Sequence, residues 1–235
     1  MKQLAVLAIM WLTAIVAHAQ DEPEYRLELG AGAALAAYQG DFNGSLLKSM
    51  KPMGGVVAKY KPNPRMAWSA LLGYTKLKGT SGNVKTWYPE LTEHPISFSS
   101  SVIDVSLRYE YNFWPFGTGR EYYGAQKLTP FIAMGLGLSF ANADTEQDGQ
   151  HQKRSSGALQ MPIGMGMKYK VADRWNLAVE WTMHFTGNDK IDGMPDPYGI
   201  ESSGIFKNTD CYSVLGVTLT YDLWAKCKTC HNDQD

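Results

Sequence analysis

The feature that most constrains this chain is an alternation of apolar and polar residues that continues unbroken for longer than ordinary strands do. In "VIDVSLRYEYNF", Ile103, Val105, Leu107, Tyr109, Tyr111 and Phe113 share one face of an extended chain, and Asp104, Ser106, Arg108, Glu110 and Asn112 share the other. "RWNLAVEWTMHFT" repeats the pattern, with Trp175, Leu177, Val179, Trp181, Met183 and Phe185 opposite Asn176, Glu180, Thr182 and His184. "LQMPIGMGMKYKV", "LTPFIAMGLGLSF" and "YSVLGVTLTYDL" do the same.

A soluble sandwich also alternates, so length and sense must decide. These runs exceed about ten residues, roughly twice a usual soluble strand and enough for a tilted crossing of the hydrocarbon layer. Aromatic residues such as Tyr109, Tyr111, Phe113, Trp175 and Tyr221 gather toward the run ends, where an interfacial girdle belongs. The polar rows hold Gly, Ala, Ser and charged residues, which suits a narrow interior. A soluble ligand-binding barrel would place its apolar row inside. The pattern therefore predicts an all-β fold, a transmembrane antiparallel up-and-down β-barrel. "EYRLELGAGAALAAY", "MGGVVAKYKP" and "MAWSALLGYTKLKG" bring the count to about eight strands, an even number as single-chain barrels prefer.

The connections alternate in length. "KPNPR" and "VADR" are tight turns and "WPFGTGREYYGAQK" is moderate. "QGDFNGSLLKSMK", "TSGNVKTWYPELTEHPIS", "ANADTEQDGQHQKRSSG" and "GNDKIDGMPDPYGIESSGIFKNTD" read as long polar loops. Long loops outside and short turns inside would put both termini in the periplasm of an outer-membrane protein.

Residues 1–19 read as a secretory signal peptide: Lys2 precedes an apolar run from Leu4 to Val16, and Ala17, His18 and Ala19 form an A-x-A cleavage site. The mature chain is then expected to begin at Gln20, with the barrel over residues 20–224 and a periplasmic tail over residues 225–235. Apart from the signal no apolar run is long enough for a membrane helix. A net charge of −1 indicates no pull toward nucleic acid. The three cysteines meet an oxidising compartment, where disulfides form.

Cys227, Cys230 and His231 spell C-x-x-C-H, the spacing that attaches a c-type haem. A haem needs an enclosing pocket and a second axial ligand, and a structural zinc needs four ligands where the tail supplies three. A thioredoxin-like pair needs a helix N-terminus that the chain does not offer. Cys211 precedes a strand whose length carries it beyond disulfide reach of the tail. No cofactor or metal site is expected; a Cys227 to Cys230 bond and a bond to another protein both remain open.

Glu180 and His184 share the inward face of one strand, as the carboxylate and imidazole of a lipid-modifying barrel enzyme would. Such enzymes place a Ser nucleophile beside them at the lipid-facing rim, and the sequence places none. Ion pairing inside the lumen, with Arg108, Glu110 or Lys168, is the expectation, and the protein is read as a non-enzyme. The glycines of "GMGMKYKVADRW" lie on a strand and serve close packing.

"ELGAGAALAAYQGDF", "VIDVSLRYEYNF" followed by "FWPFG", "LTPFIAMGLGLSF" and "NTDCYSVLGVTLTYDLWAKCKTC" resemble the PorG family of Bacteroidetes outer-membrane proteins over nearly the whole mature chain. Cys211 departs from that pattern, in which an aromatic would precede Tyr212. The resemblance implies an eight-stranded barrel of the type IX (Por) secretion system, associated with the periplasmic ring of the PorK lipoprotein and PorN. A tail of about ten residues buries too little surface to hold such a ring by contact alone, so the expected sites are Cys227 or Cys230 bonded to a PorK-type lipoprotein, with Lys226 and Lys228 adding charge complementarity, or else docking through "WPFGTGREYYGAQK". A passive OmpA-like structural or adhesive barrel is the alternative.

Overall fold

The computed structural model describes residues 25–39, 50–80, 97–117, 125–147, 150–187 and 211–225. They form eight strands: β1 (Tyr25–Gln39), β2 (Lys51–Asn63), β3 (Met66–Thr80), β4 (Ser97–Asn112), β5 (Leu128–Gln147), β6 (Gln150–Ala172), β7 (Trp175–Thr186) and β8 (Cys211–Ala225). Each pairs antiparallel with the next, and β8 pairs with β1 from Tyr25↔Ala225 to Gln39↔Cys211, so the sheet is a closed barrel. Closure pairs every strand on both sides through the belt and leaves no edge in the hydrocarbon.

The faces fall where the alternation puts them. On β4, Ile103, Val105 and Leu107 point outward while Asp104, Ser106, Arg108, Glu110 and Asn112 are buried in the lumen. On β5 to β8 the outward rows include Leu136, Leu159, Met165, Val179 and Leu219. This is the inverse of a water-soluble barrel, and the apolar exterior can be stable only in lipid. From Ile103 to Phe113, at about 3.3 Å per residue and a tilt of about 40°, the belt stands roughly 25 Å tall, the height of an outer-membrane barrel's apolar band. Two strand glycines mark where neighbouring backbones come too close for a side chain. A Cβ on Gly135 would lie 2.1 Å from the Leu107 carbonyl oxygen, and one on Gly166 2.2 Å from that of Val179.

The two ends of the barrel differ. The terminal end carries both chain ends of the barrel and the short turns after β2 and β6. At the opposite, long-loop end, the sequence expectation needs one correction. The stretch "ANADTEQDGQHQKRSSG" is a strand hairpin, not a long loop: β5 and β6 run for 20 and 23 residues and stay in register from Ala141↔Ser156 to Gln147↔Gln150. Above the belt both faces of a sheet can meet water, so the ladder continues without the apolar row that identifies it lower down. The other connections expected to be long, and the segments read as signal peptide and tail, lie outside the described residues.

Candidate functional site

Alternation sends an unusual number of charges into the lumen, and each must find a counter-charge in a space with little water. At the terminal end Lys61 of β2 bridges Glu28 of β1 and Asp222 of β8, at 2.7 Å each. Asp222 also takes Lys170 at 2.6 Å, and Lys170 donates to Asn176 Oδ1 at 3.2 Å. One layer up, Glu110 receives Lys168 at 2.6 Å and Lys59 at 3.0 Å, while Lys168 reaches Asn112 Oδ1 at 3.0 Å. The Lys168 ammonium also sits over the Phe131 ring, 4.5 Å from its centroid. Above these, Arg108 meets Glu180 at 2.6 Å and 3.3 Å in a two-pronged contact, and Thr182 donates to the same carboxylate at 2.9 Å.

Nearer the long-loop end the chemistry changes. Asp104 is fully buried and accepts from Gln160 Nε2 at 2.6 Å and from the Tyr212 hydroxyl, with His184 Nδ1 at 3.1 Å. His184 stacks on Tyr212, the rings 4.4 Å apart and 11° from parallel. Beyond this cluster the lumen turns apolar: Ala36, Tyr38, Met53, Leu77, Phe98, Val102 and Ala141 pack with Tyr212, and Tyr38 meets Phe98 edge to face at 4.8 Å. A cavity of about 70 Å³ remains between the layers, lined by Arg108, Glu180, Thr182 and His184 and by the small residues of β1, β2 and β8. The described lumen is thus filled by salt bridges at one end and an apolar plug at the other.

The pairing of Glu180 with Arg108 is one of those the sequence left open. His184 does not join Glu180; it turns to Asp104 and Gln160, and both groups lie inside the barrel, away from the lipid face. The apolar plug was not foreseen. Its signal is a reversal of sense: in "TKLKG" and "SFSSS" the apolar Leu77 and Phe98 are the inward residues between outward polar ones. Cys227, Cys230, His231, Lys226 and Lys228 lie outside the described residues. Cys211 opens β8, opposite Gln39 and Phe185.

The rim at the terminal end is aromatic and ordered. Trp68 packs edge-on to Tyr109 at 5.3 Å and Trp175 to Tyr221 at 5.1 Å. The chain after β4 folds back over the β2–β3 turn. Phe116 donates its N–H to Pro64 O at 3.0 Å with its ring buried, Arg65 Nη1 donates to Phe113 O at 2.9 Å, and Asn112 donates its N–H to Arg65 O at 2.7 Å. Gln126 closes the segment through Pro115 O at 2.7 Å, and the Trp114 N–H is held by Thr129 Oγ1 at 3.0 Å. The result is a fixed shelf with Trp114 43% exposed on it, while Trp224, 68% exposed, stands at the end of β8 on the same end of the barrel.

Among solved structures the chain is similar to Neisserial surface protein A, at 16% identity with 84% of this chain and 97% of that chain covered and a TM-score of 0.47. It is similar to a major outer membrane protein from Thermus thermophilus, at 14% identity with 84% and 99% covered and a TM-score of 0.46. Ail, the attachment invasion locus protein of Yersinia pestis, gives 10% identity, 86% and 99% coverage and a TM-score of 0.43. No curated protein matches the sequence. The model of one family, described as a domain of unknown function, matches residues 2–232, and the chain, a transmembrane barrel of the outer-membrane type, belongs to that family, DUF6089.

Proposed function

We propose that this barrel is a non-enzymatic anchor of a type IX secretion assembly, sitting in the outer membrane with both termini in the periplasm and docking a PorK-type ring lipoprotein, with PorN, from its terminal end. The observation that carries the reading is the filled lumen. A barrel blocked by salt bridges and an apolar plug has little use as a conduit, so its work falls to its surfaces. The shelf built by residues 113–117 on the β2–β3 turn offers a rigid docking surface at the same end of the barrel as the chain ends. Cys227 or Cys230 then supplies a covalent bond to the lipoprotein, with Lys226 and Lys228 adding charge complementarity. A short tail alone buries less than the roughly twenty to thirty residues a side of a standard interface.

Affinity purification from mild detergent tests the reading: stoichiometric periplasmic partners support it, and a barrel recovered alone rejects it. Non-reducing gels should show a band above the monomer that collapses with reductant and disappears when Cys227 and Cys230 both become Ser. A sole monomer lighter by two protons than the reduced chain would place the bond within the tail and leave docking to the shelf. A second reading, a passive structural or adhesive barrel, draws on the β5–β6 hairpin that rises past the belt. It predicts normal secretion, and loss of surface attachment, when residues 143–154 are shortened to a tight turn.

A further inference from the structure

At the long-loop end the outward face changes character within one side-chain step. On β3 the outward row passes from Leu72 and Tyr74 to Lys76 and Lys78, all of them exposed. In register beside it, β4 passes from Ile103 to Ser101 and Ser99, with Lys76 opposite Ser101 and Lys78 opposite Ser99. The terminal end has no such row; its outward residues finish as Trp68, Phe113, Tyr169 and Trp175. The two rims that flank the belt are therefore unlike: the terminal one is aromatic, and on β3 and β4 the long-loop one carries ammonium groups and hydroxyls, with the carboxylates of Asp144 and Glu146 following on β5.

These lysines differ from the cations inside the barrel. Inside the barrel Lys59, Lys61, Arg108, Lys168 and Lys170 all hold carboxylates. Lys76 and Lys78 make no ion pair among the described residues. Asp144 stands directly opposite Ser99 on β5, two strands from the lysines, with Glu146 opposite Ser97; Asp144 is engaged by His151 at 3.3 Å, with Lys153 opposite it in register. Ammonium groups on alternate residues of a strand stand about 7 Å apart, and the facing serine Cβ atoms about 5 Å away across the ladder. That spacing lets one phosphate receive both cations and the hydroxyl donors together. Tyr74 and Ile103, directly beneath, lie at the top of the hydrocarbon.

We propose that Lys76 and Lys78, with Ser99 and Ser101, form a binding site for the phosphate groups of lipid headgroups in the leaflet around the long-loop end. Lipid is the fitting source because the cations stand directly on the apolar belt, so a ligand there has its phosphate on the lysines and its acyl chains against Leu72, Tyr74 and Ile103. In the orientation proposed above, on which this naming rests, the leaflet is the outer one and the ligand a phosphorylated glycolipid. The contact itself needs only the asymmetry of the rims.

The test uses the mature chain refolded into nanodiscs containing either bisphosphorylated lipid A or the same lipid with its phosphates removed. Retained lipid is read by native mass spectrometry after gentle extraction, with heat-modifiable mobility confirming that each variant is folded. Wild type should carry lipid A and not the dephosphorylated form. Lys76→Gln with Lys78→Gln should reduce retention about tenfold or more, Lys76→Arg with Lys78→Arg should keep it, and Lys127→Gln at the terminal end should leave it unchanged. Equal retention by the double Gln variant, equal retention of the dephosphorylated lipid, or no adduct on wild type overturns the proposal. Displacement by millimolar inorganic phosphate overturns the lipid source. Loss of ring docking through Cys227→Ser and Cys230→Ser leaves this readout untouched, so the two ideas fail separately.

Discussion

Arg108 on β4 and Glu180 on β7 meet across the lumen through two contacts, 2.6 Å and 3.3 Å long, with Thr182 donating to the same carboxylate. Removing one charge strands the other where water is scarce. Arg108→Met should cost about 3–5 kcal/mol, and adding Glu180→Leu should recover most of the loss, because a matched apolar pair leaves no orphan charge. Urea unfolding in lipid vesicles measures both, and a double variant no better than the single one would contradict the assignment.

The outward row should respond to charge in proportion to depth. Leu136→Arg and Val179→Arg, both near mid-belt, should each cost about 2–4 kcal/mol and slow insertion, while Leu136→Met should be nearly silent. Folding yields into vesicles report the difference. Thr182→Arg, although inward, should also be costly, since it would stand beside Arg108 in a filled lumen.

The plug should stabilise the long-loop end without being the lumen's sole seal. Tyr38→Ala or Phe98→Ala removes a buried ring from the apolar cluster, at about 3–5 kcal/mol. Planar-bilayer recordings should show negligible current for wild type and for the double variant alike, because the salt-bridge layers at the terminal end still fill the lumen. Steady wild-type current of porin size would overturn the view of the lumen as filled.

Gly135→Ala and Gly166→Ala should each destabilise by about 1–3 kcal/mol, because the added methyl group meets a neighbouring strand's carbonyl oxygen and a backbone cannot rotate aside. Gly54→Ala serves as the control, since a Cβ there meets nothing within 4 Å. A temperature series of heat-modifiable mobility would rank the three.

How much of this was legible follows from what alternation encodes. In the belt one face must be apolar, so the two rows of "VIDVSLRYEYNF" named their own sides, and strand number and facing could be read directly. The Arg108–Glu180 pair was nearly legible, because buried charges need partners, but which partner depended on strand stagger. The β5–β6 hairpin was missed because "DTEQDGQHQKRSS" carries no apolar row, although backbone hydrogen bonds hold it without one. The plug was missed because Leu77, Phe98 and Val102 lie where the sense of alternation reverses.

That reversal has a mechanical consequence. Pushed deeper along the membrane normal, the barrel would drag Lys76 and Lys78 into hydrocarbon; drawn the other way, it would strip Trp68 and Trp175 from their interface. Both displacements meet a rising cost, so the belt works as a detent that fixes elevation without any partner. A rigid body gripping the shelf around Trp114 would inherit that elevation and be held at one height beneath the bilayer, whatever else in the assembly moves.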